Sequence, residues 1–153
     1  MNKIAVFPGS FDPFTNGHKN IVERALPLFN KIIIAIGVNA EKKTMFTPDQ
    51  RIAAIASTFV TEPKVEIFEY TGLTVDFCKK HNAGYIIRGV RNSVDFEYEK
   101  AIAIMNKEIG CGVESLFLCS DPQYSIISST IIRDLYRNGR DISQYVPFPI
   151  PQK

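Results

Sequence analysis

Short runs of apolar, mostly β-branched residues alternate along the chain with longer stretches whose apolar positions recur every three or four residues. The first pattern marks strands and the second amphipathic helices. Ile4 to Phe7 predicts a first strand. Residues 17–29, with Ile21, Val22, Ala25, Leu26 and Phe29 on one side, predict a helix. Lys31 to Val38 is apolar at almost every position, which suits a parallel strand covered on both faces. Thr47-Pro48-Asp49-Gln50 reads as a capping box with Pro at the first helical position. Ile52, Ala53, Ile55, Ala56, Phe59 and Val60 give the helix that follows a broad apolar face. Val65 to Phe68 is a third strand, and residues 72–81 form a short helix stopped by His81-Asn82-Ala83-Gly84. Tyr85 to Ile87 is a fourth strand, running out into Arg88-Gly89. A long helix from about Val94 to Ile109 carries Tyr98, Ala101, Ile102, Met105 and Ile109 at helical spacing, as a buried stripe would. Glu114 to Cys119 is the fifth strand. Ser128 or Ser129 then caps a helix containing Ile131, Ile132, Leu135 and Tyr136, and residues 141–144 add one more turn.

Five β-α units in succession predict an α/β fold, a doubly wound five-stranded parallel sheet with helices on both faces. No linker or low-complexity run divides the 153 residues, so residues 1–153 are expected to form one domain. In such sheets ligands bind beyond the carboxyl ends of the strands, and four anion-ready clusters follow predicted strands. Pro8 to His18 (PGSFDPFTNGH) joins a strand to a helix start, where free backbone N–H groups attract phosphate. Gly9 and Ser10 would let a phosphate approach the backbone, and Thr15 and His18, three apart, share a helical face. An ordinary loop with Thr15 or Asn16 as cap would look similar. Lys42-Lys43 follows strand two, where solvated lysines are the default. Arg88-Gly89-Val90-Arg91-Asn92 follows strand four. Its guanidinium forks suit phosphate, although ion pairs to Asp95, Glu97 and Glu99 would also occupy them. Tyr124 to Arg133 places Ser128, Ser129 and Thr130 at a helix start, where they suit a run of phosphates with Tyr124 stacked on a purine, and where a plain cap with spare serines and a Tyr124 packed on the core would look the same. Neither GxxxxGK[ST] nor GxGxxG is present, so the phosphate site follows another recipe.

The net charge of +2 lacks the strong basic excess of nucleic-acid binders. Anion binding therefore has to come from a few placed Lys and Arg side chains. No apolar run approaches the ~20 residues of a membrane span, and Met1-Asn2-Lys3 leads into a strand rather than a signal peptide. A cytoplasmic protein is expected, with neither nucleic acid nor membrane as partner. Cys78, Cys111 and Cys119 match no metal-ligand spacing. Each lies in an apolar stretch and is expected to be a reduced core thiol.

Thr15-Asn16-Gly17-His18 resembles the [TH]xGH signature of the nucleotidyltransferase superfamily, and Ile127 to Arg133 (ISSTIIR) resembles its second signature, ISSTxxR. Together with Arg88 to Glu99 (RGVRNSVDFEYE), their spacing is similar to that of the phosphopantetheine adenylyltransferase family, to about Val146. The resemblance implies a Rossmann-like nucleotidyltransferase fold and transfer of AMP from ATP to 4′-phosphopantetheine. It implies that Ser10, Lys42, Thr74 and Arg88 bind the acceptor. ATP would be held by Ser10, Phe11, His18, Gly89, Val90, Arg91, Glu99, and Tyr124 through Thr130 (Tyr124, Ser125, Ile126, Ile127, Ser128, Ser129, Thr130). His18, Lys42 and Arg91 would act in catalysis. It further implies Mg²⁺ as cofactor with no protein metal site, a homo-oligomer, normally a hexamer, and inhibition by coenzyme A. Relatives close with a longer C-terminal helix, whereas Val146-Pro147-Phe148-Pro149-Ile150-Pro151 cannot form one. An acceptor phosphate is already an anion, so alignment and charge stabilisation suffice for the chemistry. The competing expectations are a relative that uses nicotinamide mononucleotide or CTP, and a non-catalytic ATP-binding sensor.

Overall fold

The structure is a computed structural model and describes residues 2–110 and 112–151. Five strands, β1 (Ile4–Gly9), β2 (Lys31–Gly37), β3 (Val65–Tyr70), β4 (Tyr85–Val90) and β5 (Glu114–Cys119), form one sheet in the order β3-β2-β1-β4-β5. All pairs are parallel. The helices are α1 (Asn16–Ala25), α2 (Pro48–Thr58), α3 (Thr74–Lys80), α4 (Ser93–Ile109) and α5 (Ser129–Arg137). The winding runs outward from β1 to β3, then reverses to β4 and β5. The switch point therefore lies between β1 and β4, where doubly wound sheets hold their ligands.

Strand residues divide by parity between two cores. Ala5, Phe7, Ile32, Ile34, Ile36 and Ile87 pack with α1, α2 and the C-terminal segment on one face. Val6, Ile33, Ala35 and Ile86 pack with Val75, Phe77 and Cys78 of α3 on the other. This is why the run at β2 is apolar without alternation. Val146 and Phe148 are buried in the first core and Ile150 packs against it, so the Pro-rich end closes the fold as an extended strap.

Several local expectations are corrected. The first helix ends at Ala25 and tightens into a 3₁₀ turn over Leu26–Leu28, because Pro27 cannot continue an α-helix. By contrast α3 stops where His81-Asn82-Ala83-Gly84 predicts, with Asn82 (φ 53) as the left-handed residue. β4 continues through Arg88, Gly89 and Val90, so these residues belong to the strand and not to a loop after it. The buried side of α2 is Arg51, Ala54 and Ile55, while Val60 lies beyond the helix and is exposed. The stripe of Tyr98, Ala101, Ile102, Met105 and Ile109 faces outward, and Glu99 is the buried residue of α4. Cys78 is buried as expected, Cys119 is exposed, and Cys111 lies outside the described residues.

Candidate active site

β1 carries Pro8-Gly9-Ser10 and β4 carries Arg88-Gly89-Val90 to the carboxyl edge at the switch point, where Arg88 Nη1 donates to Pro8 O at 3.0 Å. A cavity of about 360 Å³ opens there. It is lined by Ser10, Phe11, His18, Lys42, Arg88, Gly89, Arg91, Glu99, Tyr124, Ile127, Ser128, Ser129 and Thr130, so members of all four sequence clusters converge. Val90 is buried in the strand, and Ser125 and Ile126 lie outside the lining. A second cavity of about 600 Å³ is bounded by Gly37 to Ala40 and Tyr70 to Gly72, and shares only Ser10 and Lys42 with the first. Thr74 lines neither cavity, but its Oγ1 lies 2.9 Å from the hydroxyl of Tyr70, which bounds the second.

Gly9 has a packing task that its sequence position does not announce. A Cβ there would meet the Phe11 ring at 2.8 Å, so the missing side chain makes room for that ring, and Gly9 also lines the cavity. Phe11 has φ 48, an unfavourable conformation for a bulky residue. It is held by packing, its ring centroid lying 5.2 Å from Phe7 and 5.3 Å from Phe14. The same rings wall in His18, which is 5.1 Å from Phe11 and 5.4 Å from Phe14.

Thr15 caps α1, and His18 occupies the place a Glu or Gln fills in the usual capping box. Thr15 Oγ1 accepts the His18 backbone N–H at 3.3 Å, and His18 Nδ1 accepts the Thr15 backbone N–H at 3.0 Å. Because Nδ1 accepts, the neutral ring carries its proton on Nε2. Burial, reinforced by the charges of Arg88 and Arg91, pushes the His18 pKa down to about 4. At neutral pH the side chain is therefore an uncharged N–H donor.

The arginines are already partly engaged. Arg88 grips Glu99 side-on, Nε to Oε2 at 2.7 Å and Nη2 to Oε1 at 2.5 Å. With Pro8 O on Nη1, one N–H remains on each Nη for an anion. Glu99, expected beside the nucleotide, serves as the clamp of Arg88. Arg91 Nε donates to Asp95 Oδ2 at 2.9 Å, and this hydrogen bond is the main reason the Asp95 pKa is lowered. Glu97 pairs instead with Lys100. Lys42 has no carboxylate partner among the described residues and is the unneutralised cation at the junction of the cavities.

The hydroxyls at α5 also have structural partners. Ser128 Oγ accepts from Ile131 N, Ser129 Oγ donates to Pro13 O at 3.0 Å, and Thr130 Oγ1 accepts from Arg133 Nη2 at 3.1 Å. Their backbone N–H groups open the helix. Those of Ser129 and Thr130 have no partner among the described residues, leaving an anion-ready terminus.

Three residues that hold the site receive no role of their own in the sequence reading. The buried Asp12 carboxylate accepts Met45 N at 2.7 Å and Phe46 N at 2.8 Å, fixing the loop that bears Lys42. Arg133 Nη1 donates to Asp12 O at 2.9 Å, tying α5 to the same turn. Arg51 Nη1 donates to Ser10 O at 2.7 Å. The Arg of the second signature was the one available cue.

The carboxylates lining the first cavity, Asp12, Asp95 and Glu99, are all engaged by N–H donors. Among the described residues no group of three or more His, Cys, Asp or Glu side chains could hold a metal ion. The donor set does not fit a resident metal. A magnesium ion held chiefly by nucleotide phosphates and water needs no such cage.

The cytidylyltransferase-like family model matches residues 6–135. A phosphopantetheine adenylyltransferase of Flavobacterium psychrophilum is 54% identical over 143 residues, 94% of this chain and 94% of that protein. One from Leptospira biflexa is 48% identical over 147 residues, 96% of this chain and 92% of its own. Among solved structures, a bifunctional NMN adenylyltransferase/ADP ribose pyrophosphatase from Francisella tularensis superposes with a TM-score of 0.74 at 21% identity, which speaks to fold alone. The match covers 99% of this chain and 46% of the Francisella one. With identity near one half along almost its whole length, the chain belongs to the cytidylyltransferase-like nucleotidyltransferases and, within them, to the phosphopantetheine adenylyltransferase family.

Proposed function

We propose that this protein transfers AMP from ATP to 4′-phosphopantetheine, giving dephospho-coenzyme A and diphosphate. The observation that carries the reading is the pair of cavities that share only Ser10 and Lys42. One is ringed by phosphate-ready donors, the other lies along the ends of β2 and β3, and a reaction between two anions belongs where they meet. ATP occupies the first cavity, and the arm of the acceptor lies in the second. The acceptor phosphate meets Ser10, Lys42 and the free N–H groups of Arg88. Thr74, which bonds Tyr70, supports the arm's wall.

An acceptor phosphate oxygen attacks the ATP α-phosphorus in line. The new O–P bond forms as the bond from the α-phosphorus to the β-bridging oxygen breaks, and diphosphate leaves with the electron pair. No general base is needed, because the acceptor is ionised. His18 Nε2–H, Lys42 and Arg91 meet charge developing at the α-phosphate, and the N-terminus of α5 receives the departing diphosphate. Mg²⁺ enters with ATP as part of the substrate.

The same reading includes a cytoplasmic protein that assembles as a hexamer. Exposed Tyr98, Ile104, Met105 and Ile109 on α4 support self-association, which sedimentation would test. Among the described residues no helix is long and apolar enough to cross a membrane. Coenzyme A, bearing both an adenylate and a pantetheine arm, is the expected competitive inhibitor of both cavities.

Acceptor labelled with ¹⁸O in its phosphate tests the chemistry. Direct attack puts label in the product's bridge and none in the diphosphate. Label in the diphosphate, or product with nicotinamide mononucleotide but not phosphopantetheine, contradicts the reading.

A further inference from the structure

Arg51 lies in the first turn of α2 on the side that otherwise buries Ala54 and Ile55, and is 3% exposed. Desolvating a guanidinium is costly, and an apolar side chain would suit a position facing the core. Among the described residues its Nε has no partner and it joins no ion pair. Among the described residues its side chain's hydrogen bond is the one from Nη1 to Ser10 O, at 2.7 Å.

The carbonyl it holds belongs to the Ser10–Phe11 peptide. That peptide is trans, the cis bond of this loop being Asp12-Pro13, so its N–H points opposite to its C=O. With the carbonyl drawn toward Arg51, the Phe11 N–H points away from α2. It has no partner among the described residues, and both Ser10 and Phe11 line the first cavity. A cation on the carbonyl also polarises the peptide, making the N–H across it a stronger donor. The following residue is fixed as well, since the Asp12 carboxylate takes Met45 N and Phe46 N while Arg133 takes Asp12 O.

We propose that Arg51 is a positioning residue: it locks and polarises the Ser10–Phe11 peptide so that the Phe11 N–H is presented to a phosphate of the bound nucleotide. This rests on the reading of the first cavity as the ATP site, and adds to it a buried cation that does not itself touch substrate.

Arg51→Met keeps the bulk and removes the donor. Calorimetry on this variant, without acceptor, is expected to show MgATP affinity about 10- to 100-fold weaker. Arg51→Lys, which can still donate to Ser10 O, should recover part of the loss. A folded Arg51→Met variant that binds MgATP as tightly as the parent overturns the proposal. A second measurement needs no variant. In protein labelled with ¹⁵N-phenylalanine, inorganic diphosphate should move the Phe11 amide proton downfield, and an unmoved Phe11 amide overturns the proposal even if Arg51→Met fails to fold. MgATP binding with these effects, but no product from phosphopantetheine, would sink the acceptor assignment and leave the role of Arg51 standing. Absence of MgATP binding by the parent protein would sink both.

Discussion

Thr15 and His18 hold each other reciprocally: the threonine oxygen takes the histidine's backbone N–H, and the imidazole Nδ1 takes the threonine's. One capping interaction thus starts α1 and leaves Nε2–H as the donor of a ring that lines the cavity. His18→Ala is expected to lower kcat about 100- to 1000-fold, the cost of losing one donor to a transition-state oxyanion, with a much smaller change in ATP affinity. Steady-state kinetics check this, and near-normal turnover would contradict the assignment.

Arg88 anchors to Glu99 and keeps two N–H groups for an anion, which the proposed function takes to be the acceptor phosphate. Arg88→Ala should raise KM for phosphopantetheine while leaving the constant for ATP nearly unchanged; a rise confined to ATP would mean the two subsites are reversed. Because Glu99 is only 9% exposed, stranding its carboxylate should also destabilise the fold by about 3 kcal/mol. Thermal melts beside the kinetics separate the two effects.

The depressed pKa of His18 has a consequence for stability. Below pH 6.5 the unfolded chain protonates this histidine, while the folded one stays neutral down to about pH 4. The unfolded state therefore binds more protons, and stability falls as pH drops through that window. Its stabilising contribution is fully present above pH 6.5 and is lost toward pH 4. The loss is on the order of 3 kcal/mol at most. Urea denaturation at pH 7.5 and pH 5 should show a smaller difference for His18→Gln than for the parent.

Burial pushes the Cys78 thiol up to about 11, while Cys119 is exposed. Under native conditions Cys119 should alkylate readily and Cys78 only after unfolding. Peptide mapping after a timed reaction would read both, and early labelling of Cys78 would place it outside the core.

The strands and the phosphate loops were legible because their signals are local. An unbroken apolar run at Ile32 to Ile36 admits little besides a strand buried on both faces, and Thr47-Pro48-Asp49-Gln50 is a helix start whatever lies around it. What sequence could not supply was which side of a helix the fold would cover. α4 carries apolar residues around most of its circumference, and the structure covers the side bearing Glu99, whose carboxylate pairs with Arg88. α2 turns Arg51 inward for Ser10 O, against its hydrophobic pattern. The same limit applies to Asp12, whose partners at Met45 and Phe46 are distant in sequence. The four clusters could be named individually, but that they share one cavity is a property of the switch point between β1 and β4.

In the proposed reaction two anions meet at Ser10 and Lys42 and an adenylyl group passes from one to the other. The deciding experiment is the rate of diphosphate release from MgATP with 4′-phosphopantetheine, with nicotinamide mononucleotide, and with no acceptor. Rapid release with phosphopantetheine alone, abolished in Lys42→Ala, is the predicted result. Release that ignores the acceptor, or that requires the mononucleotide, would contradict it.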